Sequence, residues 1–368
     1  MITLAEVISR HEAAYLQQYR QAILPSHRQA LAAMKSCRTA MAPKMLARCT
    51  ACDERRLVAH SCGHRSCPHC QHHESQQWLE RQLKRLVPAD YFLITFTVPA
   101  EFRDLAWRSQ RLFYAILFEC AWATVSTFSQ NDKHLNGRPG AVSVLHTHSR
   151  RLDYHPHLHL AMPAAALDAK TRRWRTKSRG KGAGYLFNHR ALAKVFRAKL
   201  LAALTQKGLQ LPACHPRKWV VDCKGVGTGE KALVYLGRYL YRGVVQEKDI
   251  LSCDESQVSF RYRDSQAGEM AVRTVSGATF LWLILQHVLP KGFRRARNFG
   301  FLHPNSRGLI ALLQVVLKVM PRADRGWMKP RPPFLCACCG APMQVVRRRI
   351  MSVVDRGRGA SFAEDLRM

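Results

Sequence analysis

The stretch Tyr154-His155-Pro156-His157-Leu158-His159-Leu160-Ala161-Met162-Pro163 constrains this chain more than any other. His157 and His159 flank one apolar residue, and a strand alternates its side chains with period two, so as a strand this segment turns both imidazoles to one face. His155 has the same parity. Such a face can hold a metal ion. A second stretch, Tyr235-Leu236-Gly237-Arg238-Tyr239, sets two tyrosines four residues apart, which on a helix places them along one stripe and lets both hydroxyls reach one site. Together the two form a device suited to breaking a phosphodiester. The ion polarises the scissile phosphate, a tyrosine oxygen attacks phosphorus, and a covalent phosphotyrosine and a free 3′-hydroxyl result, so that the bond energy is retained for rejoining.

The charge balance fits such a substrate. Lys and Arg total 58 against 25 Asp and Glu, a formal net charge of +33, far beyond the needs of an enzyme of small metabolites and in keeping with a polyanionic partner. The charge is also clustered. Lys170-Thr171-Arg172-Arg173-Trp174-Arg175-Thr176-Lys177-Ser178-Arg179-Gly180-Lys181 carries seven basic residues in twelve, and no acidic residue occurs from Ala169 through Val221. A glycine-spaced basic loop with one aromatic suits the backbone of single-stranded DNA, so Arg172, Arg173, Trp174, Arg175, Lys177, Arg179 and Lys181 are expected at the nucleic acid. Arg238 and Arg242, beside the tyrosines and again four apart, are expected to bind phosphates. Apolar runs such as Phe280–Leu289 fall short of the roughly 20 residues that cross a bilayer, and Met1–Arg20 lacks the basic-then-apolar order of a secretory signal. A cytoplasmic, nucleoid-associated protein without a membrane partner is expected.

In such a compartment the 13 cysteines are expected to be thiol ligands rather than disulfides. Cys49-x-x-Cys52 and Cys67-x-x-Cys70 are separated by 14 residues, a spacing that lets four thiolates converge tetrahedrally on one structural zinc ion in a zinc ribbon. Cys37, Cys62, His60 and His64 are surplus to that site, open to entering it, building a second one, or packing. Cys336-x-x-Cys339, with Cys338 between, is half a zinc ribbon without an evident second half.

The periodicities place the remaining pieces. Apolar residues at helical spacing give two short helices before Ala33, broken by Pro25, and Trp78–Leu86 gives another. Tyr91–Val98 reads as a buried strand, Phe102–Phe128 as one or two helices, and Ala141–His148 and Leu152–Met162 as a hairpin of antiparallel strands joined by the short Ser149–Arg151 link. His146 and His148 alternate on one face of the first hairpin strand, so either is placed to be a third metal ligand. Leu186–Leu204 reads as a helix, Lys218–Asp222 as a strand, Glu230–Arg242 as the tyrosine helix, Gln257–Arg263 and Glu269–Val275 as a strand pair, and Thr279–His287 as a helix. Lys291–Arg297 holds four basic residues in seven, and the run Arg347–Arg349 opens a basic tail.

These residues, taken in order, resemble the HUH rolling-circle transposases of the insertion-sequence 91 class. The likeness runs through Cys37-Arg38-Thr39, Ser61-Cys62 and Cys67-Pro68-x-Cys70, then Leu145-His146-Thr147, His155-Pro156-His157-Leu158-His159 and Leu192-Ala193-Lys194-Val195-Phe196-Arg197. It continues through Tyr235-Leu236-Gly237-Arg238-Tyr239, His287-Val288-Leu289-Pro290-Lys291-Gly292-Phe293 and Arg297-Asn298-Phe299-Gly300. The resemblance implies that His157 and His159 bind Mg²⁺ or Mn²⁺, and that Tyr235 and Tyr239 are the nucleophiles of a two-tyrosine enzyme. Such an enzyme nicks single-stranded DNA at element ends through a 5′-phosphotyrosine and transfers the strand to a target. Where relatives carry Trp-Gly-Gln after His-Thr, this chain has His148-Ser149-Arg150, so the resemblance does not single out the third ligand.

The expected fold is α+β, a central antiparallel sheet flanked by helices (the HUH endonuclease core), with a small N-terminal zinc-ribbon module and a helical, basic C-terminal region. The corresponding divisions are 1–35 for the N-terminal helices, 36–77 for the zinc-binding module, 78–250 for the nuclease and strand-transferase core, 251–345 for the C-terminal region and 346–368 for the tail. Two other readings use the same residues or fewer. One is the same chemistry in a plasmid replication initiator or relaxase; the other is a catalytically inactive, zinc-dependent DNA-binding regulator.

Overall fold

A computed structural model describes residues 2–39, 41–168, 171, 173–177, 186–241, 243–264, 267–319 and 334–350. The chain opens with α1 (Leu4–Gln18), started by a capping box in which Thr3 and Glu6 satisfy each other's backbone N–H groups. Then comes α2 (Pro25–Ser36), with Pro25 in the first turn, where its missing N–H costs nothing. An antiparallel hairpin of β1 (Lys44–Cys49) and β2 (Arg55–Ala59) follows, and α3 (His72–Leu83) begins before the expected Trp78.

The centre of the molecule is an antiparallel sheet. Its strands are β3 (Tyr91–Thr97), β4 (Arg138–His148), β5 (Tyr154–Pro163), β6 (Ala165–Leu167), β7 (Trp174–Thr176) and β8 (Val221–Gly225), in the order β7-β6-β4-β5-β3-β8. Between them run α4 (Arg103–Arg108), α5 (Gln110–Asn131) and α6 (His189–Gln206), and α7 (Glu230–Tyr241) follows β8. β4 and β5 form the expected hairpin, registered so that His146 faces His157 and Val144 faces His159. On the other side of β5, Thr97 and Thr95 face the same two histidines.

Strand alternation then divides the sheet into two faces. Phe92, Ile94 and Phe96 of β3 with Leu158, Leu160 and Met162 of β5 pack on α5 and α6 through Phe113, Leu117, Ala121, Leu192, Phe196 and Leu200, all buried. At roughly 1.5–3 kcal/mol for each large apolar side chain removed from water, this layer is the main stabilising core. α5 is long and apolar enough to cross a membrane by length and composition, and here its apolar face lies in that core. The opposite face carries Val142, Val144 and Ala161, covered by Ala232, Leu233, Leu236 and Leu240 of α7 and by Trp78 of α3. The histidines share this second face.

The rest of the chain folds back on its beginning. β9 (Ile250–Cys253), β10 (Gln257–Arg263) and β11 (Met270–Ser276) make a three-stranded sheet, followed by α8 (Gly277–Leu285). Val258, Phe260, Phe280, Leu281 and Leu285 share a core with Val7, Ile8, Tyr15 and Leu31, so the N-terminal helices and the 251–285 stretch pack as one layer. β12 (Ala296–Gly300) pairs with β4 as a seventh strand of the central sheet, and α9 (Arg307–Val316) follows. β13 (Phe334–Leu335) and β14 (Pro342–Ile350) complete a four-stranded sheet in the order β13-β14-β1-β2.

Arg347–Arg349, expected in a tail, therefore lie in a strand, with Arg347 facing Leu46 and Ile350 facing Lys44. The basic run hid a period-two pattern: Met343 is buried and Val345 half-buried, while Gln344 and Val346 are exposed. Residues 351–368 lie outside the described residues.

His27, completely buried, takes part in the contact between the first two helices, its Nδ1 3.3 Å from the Tyr15 hydroxyl. Burial pulls its pKa down to about 4. In the unfolded chain the group titrates near 6.5, so the unfolded state takes up the proton first. His27 thus costs no stability above pH ~6.5 and destabilises as pH falls from there to about 4, by up to about 3 kcal/mol. Urea-unfolding midpoints of wild type and His27→Gln, measured across this range, should converge as the pH falls, because the variant lacks this proton uptake.

Candidate active site

Three imidazoles meet on the α7 face of the sheet. His146 of β4 and His157 and His159 of β5 each bring a ring nitrogen within 4.8 Å of the others. Ring centroids are 5.3 Å apart for His146 and His157, 4.3 Å for His146 and His159, and 4.9 Å for His157 and His159. His157 Nδ1 lies 2.7 Å from the His155 carbonyl, which can only accept, so Nδ1 carries the proton and Nε2 keeps its lone pair. His159 Nδ1 lies 2.9 Å from the Thr95 hydroxyl, and with Nδ1 donating to that oxygen the His159 Nε2 is the nitrogen left to a ligand. His146 Nε2 is buried and has no hydrogen-bond partner. Burial lowers the pKa of all three rings, that of His159 to about 3, and the neighbouring imidazoles lower His146 further. Three neutral imidazoles with inward lone pairs, two of them fixed through their second nitrogen, fit a divalent transition-metal ion and leave coordination positions for oxygen ligands.

The tyrosine helix lies over these rings. Tyr235 and Tyr239 are one turn apart with ring centroids at 4.7 Å. Tyr239 stacks on His146 at 4.4 Å, and Tyr235 meets His159 edge-on at 5.7 Å. Burial, and then the neighbouring Tyr239, push the Tyr235 phenol well above its ordinary value. Two contacts fix the height of the helix. Gly237 faces α3, where a Cβ would lie 3.3 Å from the Trp78 ring, so a side chain there requires Trp78 or the helix to give by a few tenths of an ångström; beside it the Ser75 hydroxyl donates to the Gly237 carbonyl at 3.1 Å. At the C-terminal end, Arg295 Nη1 donates to the carbonyls of Tyr239 at 3.3 Å and Leu240 at 3.4 Å, a cation placed where the last carbonyls of a helix need a donor. Arg295 is half-buried, and its loss of solvent lowers its pKa to about 10.

His148, the alternative third ligand, is not in the cluster. The register shifts between His146 and His148, and the His148 ring sits 5.2 Å from His287 and 5.9 Å from Tyr239. The basic segment is more engaged than a free loop. Arg175 pairs with Asp168 at 2.8 Å, Lys177 with Asp132 at 2.6 Å, and Trp174 packs edge-on to Phe301 at 5.3 Å. Arg173 and Arg238 are exposed, whereas Arg172, Arg179, Lys181 and Arg242 lie outside the described residues.

The cysteines sort differently from the expected single site. Cys67 and Cys70 join Cys37 and Cys62, with Sγ–Sγ distances of 3.3 Å for Cys37–Cys70, 3.6 Å for Cys67–Cys37 and 3.7 Å for Cys62–Cys70. Cys49 and Cys52 instead join Cys336 and Cys339. Sequence separation misled here: the strand pairing of β1 with β14 brings a distant knuckle closer than the neighbouring one. His60 and His64 are in neither group; His60 Nδ1 lies 2.6 Å from the Ser61 carbonyl, and His64 Nδ1 accepts from the Ser66 amide at 3.2 Å. Sequence reasoning also missed Thr95 and Arg295. The first looked like one more strand residue and the second like one more surface cation in Lys291–Arg297.

Comparison with known proteins agrees with this organisation. Residues 7–98 match the family described as "Transposase zinc-binding domain", and residues 140–308 match the family described as "Putative transposase". The chain is 31% identical over 322 residues to "Putative transposase y4qJ" of Sinorhizobium fredii (strain NBRC 101917 / NGR234), covering 81% of this chain and 80% of that one. It is 27% identical over 321 residues to "Transposase for insertion sequence element IS801" of Pseudomonas savastanoi pv. phaseolicola, covering 79% and 76%. No solved structure matches. With a zinc-binding domain preceding a transposase domain, and with relatives along four-fifths of its length, the chain belongs to the insertion-sequence 91 family of transposases.

Proposed function

We propose that this transposase cuts single-stranded DNA at the ends of its element by tyrosine attack, and transfers the strand in rolling-circle transposition. The observation that carries the reading is the packing of Tyr235 and Tyr239 directly on the His146, His157 and His159 cluster. In the proposed reaction a tyrosine oxygen loses its proton and bonds to phosphorus while the P–O3′ bond breaks. The departing oxygen gains a proton to become the 3′-hydroxyl, and the 5′ end stays on the protein as phosphotyrosine. A bound divalent cation, Mg²⁺ or Mn²⁺, supplies polarisation of the scissile phosphate and offsets its developing charge. The chain's own residues do the positioning. Thr95 and the His155 carbonyl hold the ligand rings, and Trp78 and Arg295 hold the helix. Arg238, exposed on α7, and Arg150, exposed in the β4–β5 turn and close enough to act on the Tyr235 phenol, flank the tyrosines with positive charge for the DNA backbone. Membership in a transposase family favours this reading over a replication initiator or relaxase.

The test is incubation of the purified chain with 5′- and 3′-labelled single-stranded oligonucleotides from the element ends and Mn²⁺, followed by denaturing gel and peptide mass spectrometry. A 5′-phosphotyrosine adduct at Tyr235 or Tyr239 is expected. Tight binding without an adduct at any end tried, in either metal, would instead support a DNA-binding regulator. Phenylalanine at the attacking tyrosine should lower adduct formation by about three orders of magnitude, and the double variant Tyr235→Phe/Tyr239→Phe should form none. His157→Ala should lose cleavage to a similar degree while filter binding of the same oligonucleotide changes less than about threefold, since affinity rests chiefly on the basic surface. Thr95→Val removes only the hydroxyl that orients His159. It should raise the Mn²⁺ concentration for half-maximal cleavage by about 10- to 100-fold, with the rate recovered at saturating metal.

A further inference from the structure

The zinc-binding domain that the family comparison marks ends at residue 98, yet two of its cysteines have their partners near the other end of the chain. Cys49 Sγ lies 3.5 Å from Cys339 Sγ, Cys52 Sγ lies 3.6 Å from Cys336 Sγ, and Cys339 Sγ lies 3.5 Å from Cys52 Sγ, across 284 to 290 residues of sequence. All four are free thiols, and these separations are far beyond the ~2.05 Å of a disulfide. They are close to the ~3.8 Å edge of a tetrahedron of sulfurs around an ion with Zn–S bonds of ~2.3 Å.

The two knuckles are also built alike. In each, the residue after the second cysteine has a left-handed backbone, Asp53 with φ 59° and Gly340 with φ 71°. In each, the amide of the first cysteine donates to the carbonyl five residues on, Cys49 to Glu54 at 2.8 Å and Cys336 to Ala341 at 2.9 Å. The Ala51 amide points at Cys49 Sγ at 3.4 Å, a donor that favours thiolate over thiol. β1 pairs antiparallel with β14, so the tips of the β1–β2 and β13–β14 hairpins stand at the same end of one sheet.

The sheet needs such a centre. Its buried core consists of Ala47, Cys49, Cys336 and Met343, while Leu57, Phe334, Leu335 and Val346 are exposed. Four buried side chains, two of them small thiols of the knuckles, are too few to hold four strands together by burial alone, and small sheets of this kind rely on a metal. We infer that Cys49, Cys52, Cys336 and Cys339 form a second structural zinc site, a zinc ribbon assembled from both ends of the chain and separate from the Cys37, Cys62, Cys67 and Cys70 site. Soft thiolates with no open position select zinc over hard cations and give the ion a structural role.

The full chain, purified without chelator, should contain two zinc ions per molecule by plasma mass spectrometry, and Cys336→Ser/Cys339→Ser should contain one. Cobalt substitution should give the tetrathiolate charge-transfer spectrum at twice the intensity per chain in wild type as in that variant. Because the variant can misfold, the same question is put to the wild type by timed alkylation and peptide mapping during chelator titration. Cys49, Cys52, Cys336 and Cys339 should be protected with zinc bound and become reactive together, in a step separable from that of the other four. Exposed Cys338, in the same turn, and exposed Cys214 should react from the start. One zinc per wild-type chain would overturn the assignment. So would alkylation of Cys336 and Cys339 at the rate of Cys338, or protection that survives chelator and yields only to reductant, as a disulfide would.

Discussion

The register of β4 against β5 is the constraint on which the site depends. Placing His146 opposite His157, with His159 one pleat further along, puts three imidazoles on one face within 4.8 Å. A slip by one residue would turn His157 and His159 into the apolar layer and Leu158 and Leu160 out of it. The large core under β3, β5, α5 and α6 therefore enforces the position of the histidine face, since Leu158 and Leu160 have only one place to go. The geometry of the candidate site follows from packing on the other side of the same sheet.

What could be read from the chain followed from how local the signal was. His157 and His159, Tyr235 and Tyr239 each announce themselves through a short period, two for a strand and four for a helix turn, and the structure brings these four rings together. His146 and His148 were equivalent by the same period-two reading, and only the register shift between them separates the one that joins the cluster from the one that turns toward His287. Long-range pairing was illegible. Nothing near Cys49 and Cys52 indicates that their partners lie beyond residue 335, and an adjacent CxxC was the natural but mistaken choice. Arg295 and the Arg347–Arg349 run show a second limit. Composition reports that a segment is basic but not which of its cations will donate to a helix end, or whether the segment will be recruited as a strand.

The zinc-binding region and the tyrosine helix touch at two points. α3, immediately after the first cysteine cluster, seats Trp78 against Gly237. After the helix, Gly243 passes so close to the Cys67-Pro68 loop that a Cβ would lie 3.3 Å from Pro68 and from the Ser66 carbonyl. A glycine inside a helix costs up to about 1 kcal/mol relative to alanine, and the close approach of Trp78 is the compensating gain. The height and tilt of the helix over the histidines are thereby tied to the fold around a cysteine cluster, so that a site for structural metal and the candidate site for chemistry share one mechanical frame.

The pairing of β1 with β14 also orders events in time. A ribosome delivers β1 and β2 roughly 290 residues before β14, at about 5–20 residues per second, so for tens of seconds the nascent hairpin presents an unpaired strand edge. That edge carries Lys44 and Arg48, charges of the kind that keep an open strand from annealing to another chain. Only when Pro342–Ile350 emerges is the edge closed. Closure of this small sheet is in effect a check on translation through β14, satisfied by a chain that extends past Ile350 and not by a fragment that stops short of it.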